Sequence, residues 1–104
     1  MARFLVQDAA SHRIDEIYQY TLRQWEAEQA EAYVIGLFAT FAKIETHEVL
    51  SRPIPAEFEV DGFFCRYEKH FIYWRHLSRG DIGIVTILHE RMHQVGRLRD
   101  DFGL

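Results

Sequence analysis

The residues of this chain best suited to chemistry lie near its end, in the run His89-Glu90-Arg91-Met92-His93-Gln94-Val95-Gly96-Arg97-Leu98-Arg99. His89, Glu90 and His93 fit His-Glu-x-x-His. In that pattern two histidines one helical turn apart hold zinc, and the glutamate activates the metal-bound water. Three features oppose that chemistry here. The apolar run Ile82–Leu88 leads straight into His89, so His89 closes a strand instead of opening a helix. Arg99 stands where a third ligand would be needed, and a permanently charged guanidinium does not bind a cation. Only 11 residues follow His93, too few to build the rest of such a protease. Zinc hydrolysis is therefore the remotest expectation, and no metal or other cofactor is expected.

A second constellation is basic. His70, His76 and His89, with Arg66, Arg75 and Arg91, fall on segments that read as neighbouring strands. Such a cluster fits a phosphodiester, an acidic peptide or simply a solvated sheet edge. Other catalytic patterns are weaker. Ser11, Ser51 and Ser78 lack any nucleophile context, and Gly80 and Gly83 flank a turn, not a phosphate-cradling loop. Cys65 is the only cysteine, which excludes an intrachain disulfide and suggests a reducing compartment. It sits in an aromatic run and reads as a core residue.

Elements must position these groups, and periodicity suggests which. Residues 3–7 read as a short strand. Residues 10–25 read as a helix, because Ile14, Ile17/Tyr18, Thr21/Leu22 and Trp25 recur every three or four positions. Asp8 or Ser11 is placed to cap it. Residues 26–47 give a second helix, with Ala30, Tyr33/Val34, Leu37, Phe41 and Ile44 as its apolar stripe and Phe38 alongside. A tight link near Glu26 makes the pair a helical hairpin. Gly36 would cost up to about 1 kcal/mol inside that helix and suggests close helix packing. The only prolines, Pro53 and Pro55, mark a loop. Residues 63–77 are dense in aromatics and read as two strands turning near Glu68-Lys69. Arg79-Gly80-Asp81 is a further turn, and residues 82–89 form a buried central strand. Residues 90–102 read as a polar tail with a helical turn or two. The fold class is α+β: an N-terminal strand, then a helical hairpin on a mainly antiparallel sheet, then a short C-terminal tail or helix. Residues 1–104 are read as one domain.

Charge is unevenly spread. Residues 1–64 hold 5 Lys/Arg against 11 Asp/Glu, whereas residues 65–99 hold 7 against 3. A basic strip on an otherwise acidic chain suits an anionic partner, or merely decorates the outer sides of strands. No apolar run approaches the ~18 residues that cross a bilayer. Phe4-Leu5-Val6 is too short a block for a signal peptide. A cytoplasmic protein is the expectation.

Taken in order, several segments resemble the ParE toxins of the RelE/ParE superfamily. Residues 14–33 are similar to the family's first two helices, through Asp15, Ile17, Tyr18, Tyr20, Thr21, Trp25, Gln29, Ala30 and Tyr33. Ser51-Arg52-Pro53 is similar to a Gly-Arg-Pro step after the second helix. His70–Arg75 resembles a His-x-Ile-Phe-Tyr-Arg strand. Ile87-Leu88-His89-Glu90-Arg91-Met92 resembles the family's Ile-Leu-His-x-Arg-Met, which usually continues with aspartate where His93 stands. The resemblance spans about residues 4–99. It makes the zinc-like pattern a coincidence of two variable positions, Glu90 and His93.

The resemblance implies a toxin of a type II toxin–antitoxin module that inhibits DNA gyrase by binding, not by catalysis. A ParD-like antitoxin would neutralise it in a hetero-oligomer. Residues implied in target binding are Arg66, His70, Arg75, His89, Arg91, Met92, Arg97 and Arg99. The antitoxin would lie in a groove along hairpin and sheet, touching Tyr18, Leu22, Trp25, Tyr33, Phe71 and Tyr73, although Trp25 also reads as plain core packing. RelE relatives instead cut mRNA on the ribosome with lysine, arginine and a C-terminal tyrosine. Here no tyrosine follows Arg91 and the middle strands hold only Lys69, so that constellation is incomplete. It remains the alternative, with His89 or His70 as acid/base and Arg91 on the phosphate. Glu26 replaces the family's glycine after the tryptophan, which would strain a left-handed backbone by about 1 kcal/mol.

Overall fold

The strand Ile82–His89 is the axis of the molecule, and every residue from Ile82 to Leu88 is buried. A strand covered on both faces needs a continuous apolar run instead of alternation, and that is what its sequence supplies. In the computed structural model, which describes residues 3–103, this strand is β5. The elements are β1 (Phe4–Val6), α1 (Asp8–Gln24), α2 (Ala27–Glu45), β2 (Arg52–Pro53), β3 (Phe63–Tyr67), β4 (His70–His76), β5 and α3 (Gln94–Asp101). The sheet order is β1-β5-β4-β3-β2. β1 pairs with β5 in parallel and the other three pairings are antiparallel, so the sheet is mixed.

The helical hairpin covers one face. Ile14, Ile17, Leu37, Phe41 and Ile44 pack there against Ile72, Trp74, Ile84 and Ile87. The register of β4 on β5 shifts between Tyr73 and Trp74. Such a bulge adds a residue to one strand and re-aims its neighbours. Leu88, beyond the bulge, and Tyr73, by ordinary alternation between Ile72 and Trp74, point to the other face, where Ile54 and Leu98 join them.

Several expectations change. Neither Asp8 nor Ser11 caps α1: Gln7 holds the cap position with no side-chain bond, and Asp8 sits in the first turn, where its charge suits the helix dipole. Glu26 is extended (φ −102°, ψ 165°), so glycine is not needed there and no strain arises. Trp25 is no core residue but is 62% exposed at the hairpin tip. Gly36 admits a tyrosine from the sheet rather than a second helix: a Cβ there would lie 3.1 Å from Cζ of Tyr67. Arg52-Pro53 is a two-residue edge strand, not loop; proline lacks an N–H and is tolerated at an edge. The helical turn or two expected in the polar tail is α3, packed down with Leu98 fully buried.

Polar groups hold α3 down. The Asp101 carboxylate accepts from the Arg13 side chain of α1 at 3.1 Å and from the Thr86 hydroxyl of β5 at 2.7 Å. At the other end His93 caps the helix, its Nδ1 accepting from the Gly96 N–H at 3.4 Å. An imidazole nitrogen thus fills the place where an aspartate side chain would be the ordinary cap.

Candidate functional site

Three segments converge where β5 ends: the β3–β4 turn at Glu68-Lys69, the first turns of α2, and the link into α3. His70 opens β4 and stands opposite His89, the last residue of β5. Their rings meet edge-to-face with centroids 5.1 Å apart. The Tyr33 hydroxyl of α2 lies 2.6 Å from His70 Nδ1. The Tyr67 hydroxyl donates to the Tyr33 carbonyl at 2.9 Å, through the space that Gly36 leaves open.

These contacts fix protonation. Burial, reinforced by the neighbouring His89, pushes the His70 pKa down to about 4. Burial likewise lifts Tyr33 to about 12, so its hydroxyl stays protonated. Tyr33 then donates to a neutral His70, whose remaining proton is on Nε2. A group at pKa 4 is a poor general acid near neutrality, where the ideal lies close to the working pH.

His89 is also engaged. Its Nδ1 accepts the Arg91 N–H at 3.1 Å. Its carbonyl accepts the Met92 N–H at 2.9 Å and the Gln94 side-chain amide at 2.8 Å. Gln94 also donates to the Met92 carbonyl at 2.9 Å and accepts the Tyr73 hydroxyl at 2.7 Å. Three hydrogen bonds of this one amide go into turning β5 into α3. His89 and His93 therefore sit on a strand end and a helix cap, not on one helix face. Glu90 is paired with the Arg66 guanidinium, whose hydrogen bond holds its carboxyl below the usual range.

The outer surface of this corner mixes charges, with Glu68 exposed and Glu90 paired to Arg66, but cations outnumber them. Arg66, Lys69 and Arg91 are exposed, and Arg97 follows on α3. Arg66 also donates to the Glu68 carbonyl at 2.9 Å and lies over the Phe71 ring. The structure thus joins Arg66, His70, His89, Arg91 and Met92 at one end of the sheet. It does not bring Arg75 to them. Arg75 lies at the far end of β4 against the Phe102 ring, lining a cavity of about 470 Å³ with Glu59, Asp61 and His76. Arg99 reaches toward Glu59 at 3.8 Å.

The six residues expected to touch an antitoxin are likewise split. Tyr18 and Leu22 are half-buried on α1, and Trp25 follows at its exposed end. Tyr33 belongs to the corner. Phe71 and Tyr73 lie on the α3 face, where Tyr73 is only 3% exposed and its hydroxyl is pushed up to about 12 by burial. Phe71 and Tyr73 thus pack on the face of the sheet opposite the one the hairpin covers. Cys65 is buried and its thiol is lifted to about 11 by desolvation, the mark of an inert core cysteine.

Sequence reasoning missed Gln94, Lys69, Tyr67 and Asp101. Only Lys69 carried a signal, as the lone lysine of the middle strands.

The sequence matches a known family along most of its length. A model of the "ParE toxin of type II toxin-antitoxin system, parDE" matches residues 5–94. The chain belongs to the ParE toxin family. It is similar to Toxin ParE1 of Mycobacterium tuberculosis, in two strains: 27% identical over 96 residues, covering 88% of this chain and 92% of that protein. It is similar to Toxin ParE of Escherichia coli at 27% identity over 100 residues, covering 96% of each. A ParE-family chain is one component of a toxin–antitoxin module, so an antitoxin partner comes with the family. The match closes at Gln94, the residue that turns the sheet into α3, and so takes in the whole corner. No helix among the described residues is long and apolar enough to cross a membrane.

Proposed function

We propose that this ParE-family chain is a cytoplasmic toxin that disables DNA gyrase by binding and is silenced by a ParD-like antitoxin. The observation that carries the non-enzymatic part of this reading is His70. Its buried imidazole is neutral, bonded to Tyr33, and edge-on to His89. A neutral, buried His70 is ill suited to carry a proton near neutrality, which supports the binding reading, and the exposed arginines suit docking. Arg66, Arg91, Met92 and Arg97 form the target-binding surface, with Arg99 farther along α3. His70 and His89 set the shape of that surface from within.

The antitoxin engages the α1 stripe of Tyr18, Leu22 and Trp25. A large aromatic exposed at a hairpin tip is the kind of anchor that dominates protein interfaces. Tyr33, Phe71 and Tyr73 would join only as supports beneath that surface or beneath α3.

The test is gyrase supercoiling with purified chain, beside ribosome-dependent mRNA cleavage. Supercoiling should stop, and Arg91→Ala should weaken inhibition without unfolding the chain. Unchanged supercoiling with discrete mRNA cuts would sink the proposal.

A further inference from the structure

The outward face of α2 carries a second apolar stripe that the fold does not use. Ala32, Ile35, Ala39 and Ala42 follow at three- and four-residue steps, all exposed, with Phe38 beside them. Ile35 is 68% exposed and Phe38 39%. The opposite stripe, Ala30, Leu37, Phe41 and Ile44, is the buried one. A helix that is apolar on both sides belongs in a core or an interface. Alanine at three of the four positions leaves a shallow channel in which Ile35 is the ridge, so a second helix can approach closely.

Charge says what kind of helix. Glu28 and Glu31 border the stripe at one end and Glu45 at the other, against Lys43 alone. A second copy of this chain is a poor match. An antiparallel twin related by a two-fold axis brings like flanks together. Glu31 and Glu45 share a flank, about four turns apart, so each Glu31 would face the twin's Glu45. We propose that this stripe docks an amphipathic helix of a protein partner whose apolar seam is flanked by lysine or arginine. The inference does not rest on the gyrase reading and uses none of the α1 residues assigned to the antitoxin.

The probes are two synthetic peptides of about 18 residues, long enough to hold a helix. Both carry a leucine–alanine seam; one has lysine flanks and the other glutamate flanks. Fluorescence anisotropy against the full chain should show saturable binding of the lysine peptide, at least about tenfold tighter than the glutamate peptide at low salt. Ile35→Asp should abolish that binding. Trp25→Ala should leave it unchanged, and both variants should keep the wild-type thermal melt because both positions are exposed. The double change Glu28→Lys, Glu31→Lys should invert the peptide preference. The proposal is overturned by absent binding, by equal affinity for both peptides, or by binding that survives Ile35→Asp. Self-association of the chain that Ile35→Asp abolishes would also overturn it, in favour of a homodimer.

Discussion

The two faces of the sheet are held by different physics. Under the helical hairpin, fully buried Leu37, Phe41 and Ile44 press on Ile72, Ile84 and Ile87, and little else is needed. Under α3, one fully buried helix residue, Leu98, shares the work with polar clasps: Asp101 to Arg13 and Thr86 at one end, Gln94 to Tyr73 and two carbonyls at the other. Apolar burial is non-directional and tolerant of small shifts. Hydrogen-bonded clasps are directional, and each buried group left without its partner costs free energy. The hairpin face is therefore a scaffold. The α3 face positions Arg91, Arg97 and the corner around them.

That contrast breaks first at the scaffold. Phe41→Ala should cost about 3–5 kcal/mol, read as a fall in the denaturant midpoint. Phe41 is fully buried and also meets Phe4 and Phe38 edge-on. The loss should appear in every probe together, because the whole sheet depends on this face. A separate early transition confined to the hairpin would show that the two faces are less unequal than their packing suggests.

On the α3 face the losses should be smaller and local. Asp101→Ala leaves the fully buried Thr86 hydroxyl without its acceptor and the Arg13 guanidinium with Glu16 alone, costing about 2 kcal/mol. Hydrogen exchange should quicken in residues 94–101 before it quickens in α1 or α2. Uniform loss of protection would mean that α3 is as integral as the hairpin. Gln94→Ala strands the Tyr73 hydroxyl and removes one donor from each of the His89 and Met92 carbonyls, of which His89 keeps the Met92 N–H, at about 1–2 kcal/mol. It should also loosen the backbone of Arg91, so gyrase inhibition should fall further than stability does. Equal loss of both would remove Gln94's role as the residue that orients the corner.

The same division explains what the sequence made legible. The hairpin was readable because its stripe recurs at helical spacing: Ile14, Ile17 and Thr21, then Ala30, Leu37, Phe41 and Ile44 are the buried positions. β5 was readable because burial on both faces demands an unbroken apolar run. α3 was legible only as a helical turn or two in a polar tail, since its anchors, Asp101 and Gln94, look like surface residues until their partners are known. β2 was hidden by Pro53, a loop signal that an edge strand also accepts. The corner was half legible. Arg66, His89 and Arg91 were in hand from their types, but the Tyr33–His70 bond joins residues 37 positions apart and no spacing rule finds it. Arg75 was grouped with the corner by type, and the length of β4 places it at the strand's far end, opposite Gly83.

One further effect sits between the two faces, at His70, small at neutral pH and visible only against pH. Its folded pKa is about 4, below the ordinary value of 6.5. Between those values the unfolded chain binds the proton more readily, so acidification favours unfolding. The stabilising preference for neutral His70 is fully present above pH 6.5 and is lost as pH falls toward 4. The groups that face it are Tyr33, His89 and Glu90, with Tyr67, Glu68 and Lys69 close by. Tyr33 and Tyr67 are shifted upward and stay neutral in this window. Glu90, depressed by Arg66, adds acid sensitivity only below its own ordinary 4.5. Melting temperature should therefore decline from pH 7 to 5, before the glutamate contributes. His70→Gln keeps an acceptor for the Tyr33 hydroxyl and cannot titrate. It should lose a little stability at pH 7 and flatten the slope between pH 7 and 5. If the variant keeps the wild-type slope, the acid sensitivity belongs to another histidine and His70 is not the proton-sensitive link between α2 and the end of the sheet.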